Sequence, residues 1–169
     1  MPKRYIVFKW LCYAAATALL LMLDTFVLHH IRIGGVLPFL PPMIVGVVAS
    51  FEGSKASPFF ALIFGLLCDL TVFSPAPGFF CLIFTISALI SSLLAENLFS
   101  PGLLCSFVST LLCYILTAIG RIFLLLTAGE AGFGLMLSLA LRELLFSLPF
   151  LLVVFPLGRW VYLKTTIEY

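Results

Sequence analysis

Apolar runs alternate with short polar turns along the whole chain. Six such runs stand out, at 5–28, 36–51, 58–74, 79–95, 103–128 and 133–158. A helix rises ~1.5 Å per residue, so about twenty apolar residues match the ~30 Å hydrocarbon core of a bilayer. The pattern predicts one all-α domain over 1–169, a polytopic integral membrane bundle of about six transmembrane helices. The breaks are clear: His29-His30-Ile31-Arg32-Ile33-Gly34-Gly35, Glu52-Gly53-Ser54-Lys55, Ser74-Pro75-Ala76-Pro77-Gly78, Glu96 to Gly102, and Gly129-Glu130-Ala131-Gly132. The second run is the short one. Pro38, Pro41 and Pro42 suit the first turn of a helix but not its interior. A helix beginning at Pro41 or Pro42 has about eleven residues, or ~16 Å. This predicts a short helix with an extended, protein-covered approach, or part of a re-entrant segment.

Composition sharpens the class. The chain is 63% hydrophobic and 9% charged, against roughly 25% charged in soluble domains. That leaves too little polar surface to cover a water-soluble globule. The net charge of +2 carries no signal for nucleic acid. Lys3, Arg4, Lys9, Lys55, Arg159 and Lys164 fall on the N-terminal side of the six-span pattern, and Arg32 falls opposite. That bias places both termini in the cytoplasm. The first run is too long for a signal-peptide core and lacks a small-x-small cleavage site, so it reads as a retained helix. The five cysteines lie in or beside apolar runs without a CxxC pair, and read as small buried hydrophobes.

Five ionisable residues interrupt the spans: Asp24, Asp69, Arg121, Arg142 and Glu143. At a lipid-facing helix centre each would cost roughly 2.5–3.5 kcal/mol. The six-span pattern puts all five at one depth, which predicts a buried polar cluster with Asp69 nearest Arg142 or Arg121. Ala61, Gly65 and Asp69 are four residues apart and share a helix face. Ala14 and Ala18 make a second small-residue pair suited to close packing. Catalysis finds no footing: GxSxG and HExxH are absent, and the two adjacent histidines have no Cys or acidic neighbour. The expectation is no enzyme, cofactor or metal.

With these residues in view, the chain resembles the MreD family of bacterial rod shape-determining membrane proteins. The resemblance runs over most of the length: a basic N-terminus and one helix, the proline-led segment Leu37 to Phe51, the turn Glu52-Gly53-Ser54-Lys55, Gly65-Leu66-Leu67-Cys68-Asp69-Leu70, a helix led by Gly78, and a last helix with Arg142-Glu143-Leu144-Leu145-Phe146-Ser147. Two positions depart from the family pattern. Asp24 stands where a Gln or another polar residue is frequent, and Ser147 where an Asn is frequent. The resemblance implies a non-enzymatic scaffold of the elongasome in the bacterial plasma membrane. Its partners would be an MreC-like single-pass protein and, with it, MreB filaments, RodA and a class B penicillin-binding protein. The chain is also similar in length and helix count to substrate-binding subunits of energy-coupling factor vitamin transporters, whose first helix docks through Ala-x-x-x-Ala. Such a subunit would present outward-facing Trp, Tyr and Asn, whereas Trp10 and Trp160 both fall on the cytoplasmic side of the pattern.

Overall fold

The computed structural model describes residues 3–26, 37–71, 76–98, 102–129 and 132–166. The described residues are all-helical: α1 (Lys3–Phe26), α2 (Pro41–Thr71), α3 (Phe79–Leu98), α4 (Leu103–Ala128), α5 (Phe133–Ser147) and α6 (Leu151–Thr166). The His29-His30 turn with Arg32 and Gly34-Gly35, the Ser74-Pro75 half of the next turn, Phe99 to Pro101, and Glu130-Ala131 lie outside the described residues. Among the described residues, four stretches are long and apolar enough to cross a membrane: Pro41–Thr71, Phe79–Asn97, Leu103–Thr127 and Phe133–Lys164.

Two predicted boundaries move. The runs at 36–51 and 58–74 join into one helix, α2, bent at Gly53 (φ 71°, ψ 173°). Pro58 lies inside the second arm, five residues after the bend, so the helix starts before it and not at it. The last run is the reverse case. A 3₁₀ turn at Leu148–Phe150, holding Pro149, divides it into α5 and α6, and α6 continues past Gly158 to Thr166.

The first arm of α2 is the centre of the bundle. All ten residues from Pro41 to Ser50 are buried. Gly46 sets it against α4: a Cβ there would lie 2.6 Å from the Thr110 Cα. Gly65 sets the second arm against α3, where a Cβ would lie 2.6 Å from the Cys81 Cα. Only glycine permits backbones so close. The α4 stripe Ser106, Thr110, Cys113 and Thr117 is buried, and Ser106 meets Ser50 hydroxyl to hydroxyl at 2.6 Å.

A file of rings threads the interior. Trp10 meets Phe60 (6.3 Å), Phe60 meets Phe64 (5.7 Å), Phe64 meets Phe84 (6.2 Å), Phe84 meets Phe80 (5.4 Å), and Phe80 meets Phe39 (5.6 Å). Four of these come from a repeated hexapeptide, Phe59-Phe60-Ala61-Leu62-Ile63-Phe64 and Phe79-Phe80-Cys81-Leu82-Ile83-Phe84. The repeat gives the second arm of α2 and α3 matching faces: Phe64 and Phe84 stack, and Phe80 and Phe84 are fully buried between the helices. It is a signal the apolar pattern alone conceals.

Candidate functional site

The polar side chains gather at two ends of the bundle. At the first end, Lys9 of α1 pairs with Glu52 at 2.6 Å, and the Glu52 side chain is only 4% exposed. The Tyr13 hydroxyl lies beside the same carboxylate. Tyr162 of α6 stacks on Phe51 and lies under the Lys9 ammonium. Glu96, near the end of α3, accepts the Ser54 N–H at 2.7 Å. That bond caps the second arm of α2, whose leading N–H groups have no helical partner. The left-handed Gly53 belongs to the same cap, because a Cβ there would press to 2.7 Å of the Glu96 Oε1.

Asp69 does the equivalent at the other end. Its two carboxylate oxygens accept the backbone N–H groups of Phe80 (3.1 Å) and Cys81 (3.0 Å). These are second and third residues of α3, whose donors are otherwise orphaned. The second arm of α2 and α3 therefore cap each other: a carboxylate late in each helix closes the start of its antiparallel neighbour. This corrects the expected pairing of Asp69 with Arg142 or Arg121. A carboxylate one turn from a helix N-terminus finds two aligned donors and a favourable dipole there without a guanidinium.

Beside that cap lies the centre of interest, the extended strap 37–40 that leads into α2. Pro38, Phe39 and Leu40 are buried. Backbone polar groups buried away from water need partners, and here side chains supply them. The Phe39 N–H donates to the Ser147 hydroxyl of α5 at 3.0 Å. The Tyr114 hydroxyl of α4 donates to the Phe39 carbonyl. The Asp24 carboxylate of α1 faces the Leu40 N–H. The Leu40 carbonyl accepts from Met43 and Ile44 at 2.9 and 3.2 Å, opening the helix. Proline at 38, 41 and 42 has no N–H to satisfy. Three helices thus hold one unwound segment by its backbone.

Next to the strap, Arg121 of α4 donates through one terminal nitrogen to both oxygens of Glu143 of α5, at 3.0 and 3.1 Å. Its guanidinium lies 4.4 Å from the centre of the Phe39 ring and 5.5 Å from that of Phe80. Tyr114 is within electrostatic reach of Glu143, Asp24 and Arg121. Cys68, fully buried, lies within reach of both Asp24 and Asp69. A cleft of about 210 Å³ opens between α4 and α5, with Arg121, Glu143, Thr117 and Tyr114 on its walls.

Of the five ionisable residues expected to cluster, Asp24, Arg121 and Glu143 surround the strap, and Asp69 caps the adjoining helix. Arg142 does not join them. It is exposed, and among the described residues it has no ion pair. Adjacent residues project ~100° apart on a helix, so α5 turns Glu143 towards α4 and Arg142 away. The small residues divide too. Ala61 is fully buried and Gly65 packs on α3, whereas Ala14 and Ala18 are exposed and line an apolar cleft of about 620 Å³ between α1 and the second arm of α2. The inward face of α1 runs through Tyr13, Thr17 and Leu20 to Asp24, rather than through the alanines. Tyr114, Ser147 and Glu96 are partners that the apolar pattern did not single out. For Tyr114 and Ser147 the signal was the three prolines around the strap, which foretell unwound backbone needing side-chain partners.

No family model, no curated protein and no solved structure matches this chain.

Proposed function

We propose that the chain is a non-enzymatic membrane scaffold of a bacterial cell-elongation machinery, similar to the MreD family. It would hold an MreC-like single-pass protein in the plasma membrane. Through that contact it would link lateral peptidoglycan synthesis, by RodA and a class B penicillin-binding protein, to MreB filaments. It would cross the membrane six times with both termini in the cytoplasm.

The observation that carries this reading is the filled centre. Ten consecutive buried residues of α2 occupy the bundle axis, and the strap above them is tied down by Asp24, Tyr114 and Ser147. A substrate-binding subunit of a vitamin transporter needs open volume at that place. Small-molecule pockets run to about 300–1,000 Å³, and the cleft at the strap holds about 210 Å³. The larger clefts, two on the flanks of α1 and one of about 440 Å³ between α3 and α4, are walled by apolar side chains, surfaces for packing rather than for orienting a polar solute. Six spans draw support from the two polar ends. Lys9, Glu52, Ser54, Glu96 and Tyr162 meet at one, and Asp24, Leu40, Asp69, Phe80, Arg121 and Glu143 at the other.

Depleting the protein in its host and imaging the cells tests the role. Rounded, swelling cells are expected. Rods of normal shape that require an added vitamin would replace this reading with transport.

A further inference from the structure

The Arg121–Glu143 pair is incompletely satisfied where it stands. A guanidinium carries five N–H donors in a rigid planar fork. Here one terminal nitrogen serves both Glu143 oxygens. Among the described residues no acceptor meets the other terminal nitrogen or Nε. Both side chains still show surface, 26% for Arg121 and 20% for Glu143, and that surface faces the cleft between α4 and α5. Beyond the pair, and apart from Thr117 and Tyr114, the cleft walls are apolar, among them Ile122, Leu125, Met136 and Leu139. Leu139 is exposed at the rim. Of the four membrane-length stretches, the one holding α5 has the smallest buried share, 17%.

These features define an occupant. Within a hydrocarbon layer, free donors gain most from an acceptor that arrives with its own apolar support. Arg121 and Glu143 already neutralise each other, so the acceptor need carry no charge. The space, about 210 Å³, suits one medium-sized side chain and is smaller than pockets for drug-sized ligands. We infer that the α4–α5 cleft is the seat of a partner transmembrane helix, which inserts one Asn or Gln side chain whose amide oxygen accepts from the free edge of Arg121. The amide N–H₂ would donate to Glu143, so both halves of the ion pair take part. This deepens the scaffold reading, on which it rests, by naming where the single-pass partner docks and the chemistry that recognises it.

The test uses the full-length protein in proteoliposomes with synthetic Leu/Ala transmembrane peptides as probes. Three peptides carry a single Gln at successive helical turns, and a fourth carries Leu throughout. A photoactivatable benzoylphenylalanine replaces Leu139 at the cleft rim or, as a control, Leu66 on α2, which is also exposed. The expected result is crosslinking from position 139 to at least one Gln peptide, tenfold or more above the all-Leu peptide, and none above background from position 66. Ala140→Leu, which narrows the cleft, should abolish that preference while leaving thermal unfolding unchanged. Equal crosslinking to Gln and Leu peptides, crosslinking to lipid alone, or retention of the preference in Ala140→Leu would overturn the assignment. Because the probes are synthetic, failure here is separable from failure of the shape role, which the depletion experiment reads independently.

Discussion

Asp69 accepts two backbone N–H groups at 3.0 and 3.1 Å, and the residue-scale lesson lies in what kind of partner it chose. An ionised carboxylate within an apolar helix is read from sequence as a charge in search of a cation. The donors it finds are peptide groups, which no side-chain letter records. Its location was legible, four residues after Gly65 on a shared face, but its partner was not. The consequence is measurable. Asp69→Ala leaves two α3 donors without acceptors, at a cost of about 1–3 kcal/mol, and should lower the stability to denaturant in mixed micelles accordingly. Asp69→Asn keeps a neutral acceptor oxygen and should recover part of the loss. If Arg121→Gln relieved the defect of Asp69→Ala, the carboxylate would be acting on the guanidinium instead. Arg142→Gln, by contrast, should leave stability within about 0.5 kcal/mol of the unaltered protein, as for surface substitutions generally.

At the scale of elements, α2 organises the packing through two glycines with different neighbours. Gly46 touches the α4 backbone and Gly65 the α3 backbone. A methyl at either site meets backbone atoms, which cannot rotate aside, so the helices must separate. Overpacking of that kind costs typically 1–3 kcal/mol. Gly65→Ala and Gly46→Ala should each destabilise by about that amount in unfolding measurements. Ala18→Leu, at an exposed position of α1 beside an open cleft, should change stability little. Equal tolerance at 18 and 65 would mean that α2 and α3 do not approach as described. Helix positions were largely readable from apolar runs and breakers; α4 begins at Leu103 and ends at Ala128, where the pattern put it. The joins were less readable. Glu52-Gly53-Ser54-Lys55 has the composition of a turn, yet helix resumes at once after Gly53, where Glu96 of the neighbouring α3 caps the second arm. Long-range capping of this type overrides local propensity, which is a weak prior.

For the whole molecule, the question is whether the short central arm counts as a crossing. Residues 41–52 supply about 18 Å of helix, and the strap 37–40 adds about 13 Å of extended chain. Together they approach the ~30 Å of a bilayer core. Unwound backbone at that depth is tolerable because Tyr114 and Ser147 bond it, Asp24 faces it and surrounding helices bury it. If the arm crosses, Lys55 emerges on the side of the N-terminus, at the polar end that holds Lys9 and Glu52, which the proposed orientation makes cytoplasmic. If the arm were re-entrant, every later loop would change sides. Single-cysteine proteins on a cysteine-free background distinguish the two arrangements. Lys55→Cys uses an exposed site after the bend, and Gly132→Cys uses a site where an added Cβ meets nothing within 4 Å. A membrane-impermeant maleimide applied to intact cells should label position 132 and spare position 55, with both labelled after lysis. The opposite pattern, in cells whose N-terminal tag is protected from added protease, would demote the arm to a re-entrant segment, move the C-terminus across the membrane, and leave five crossings in place of six; with the tag accessible from outside it would mean an inverted six-span protein instead.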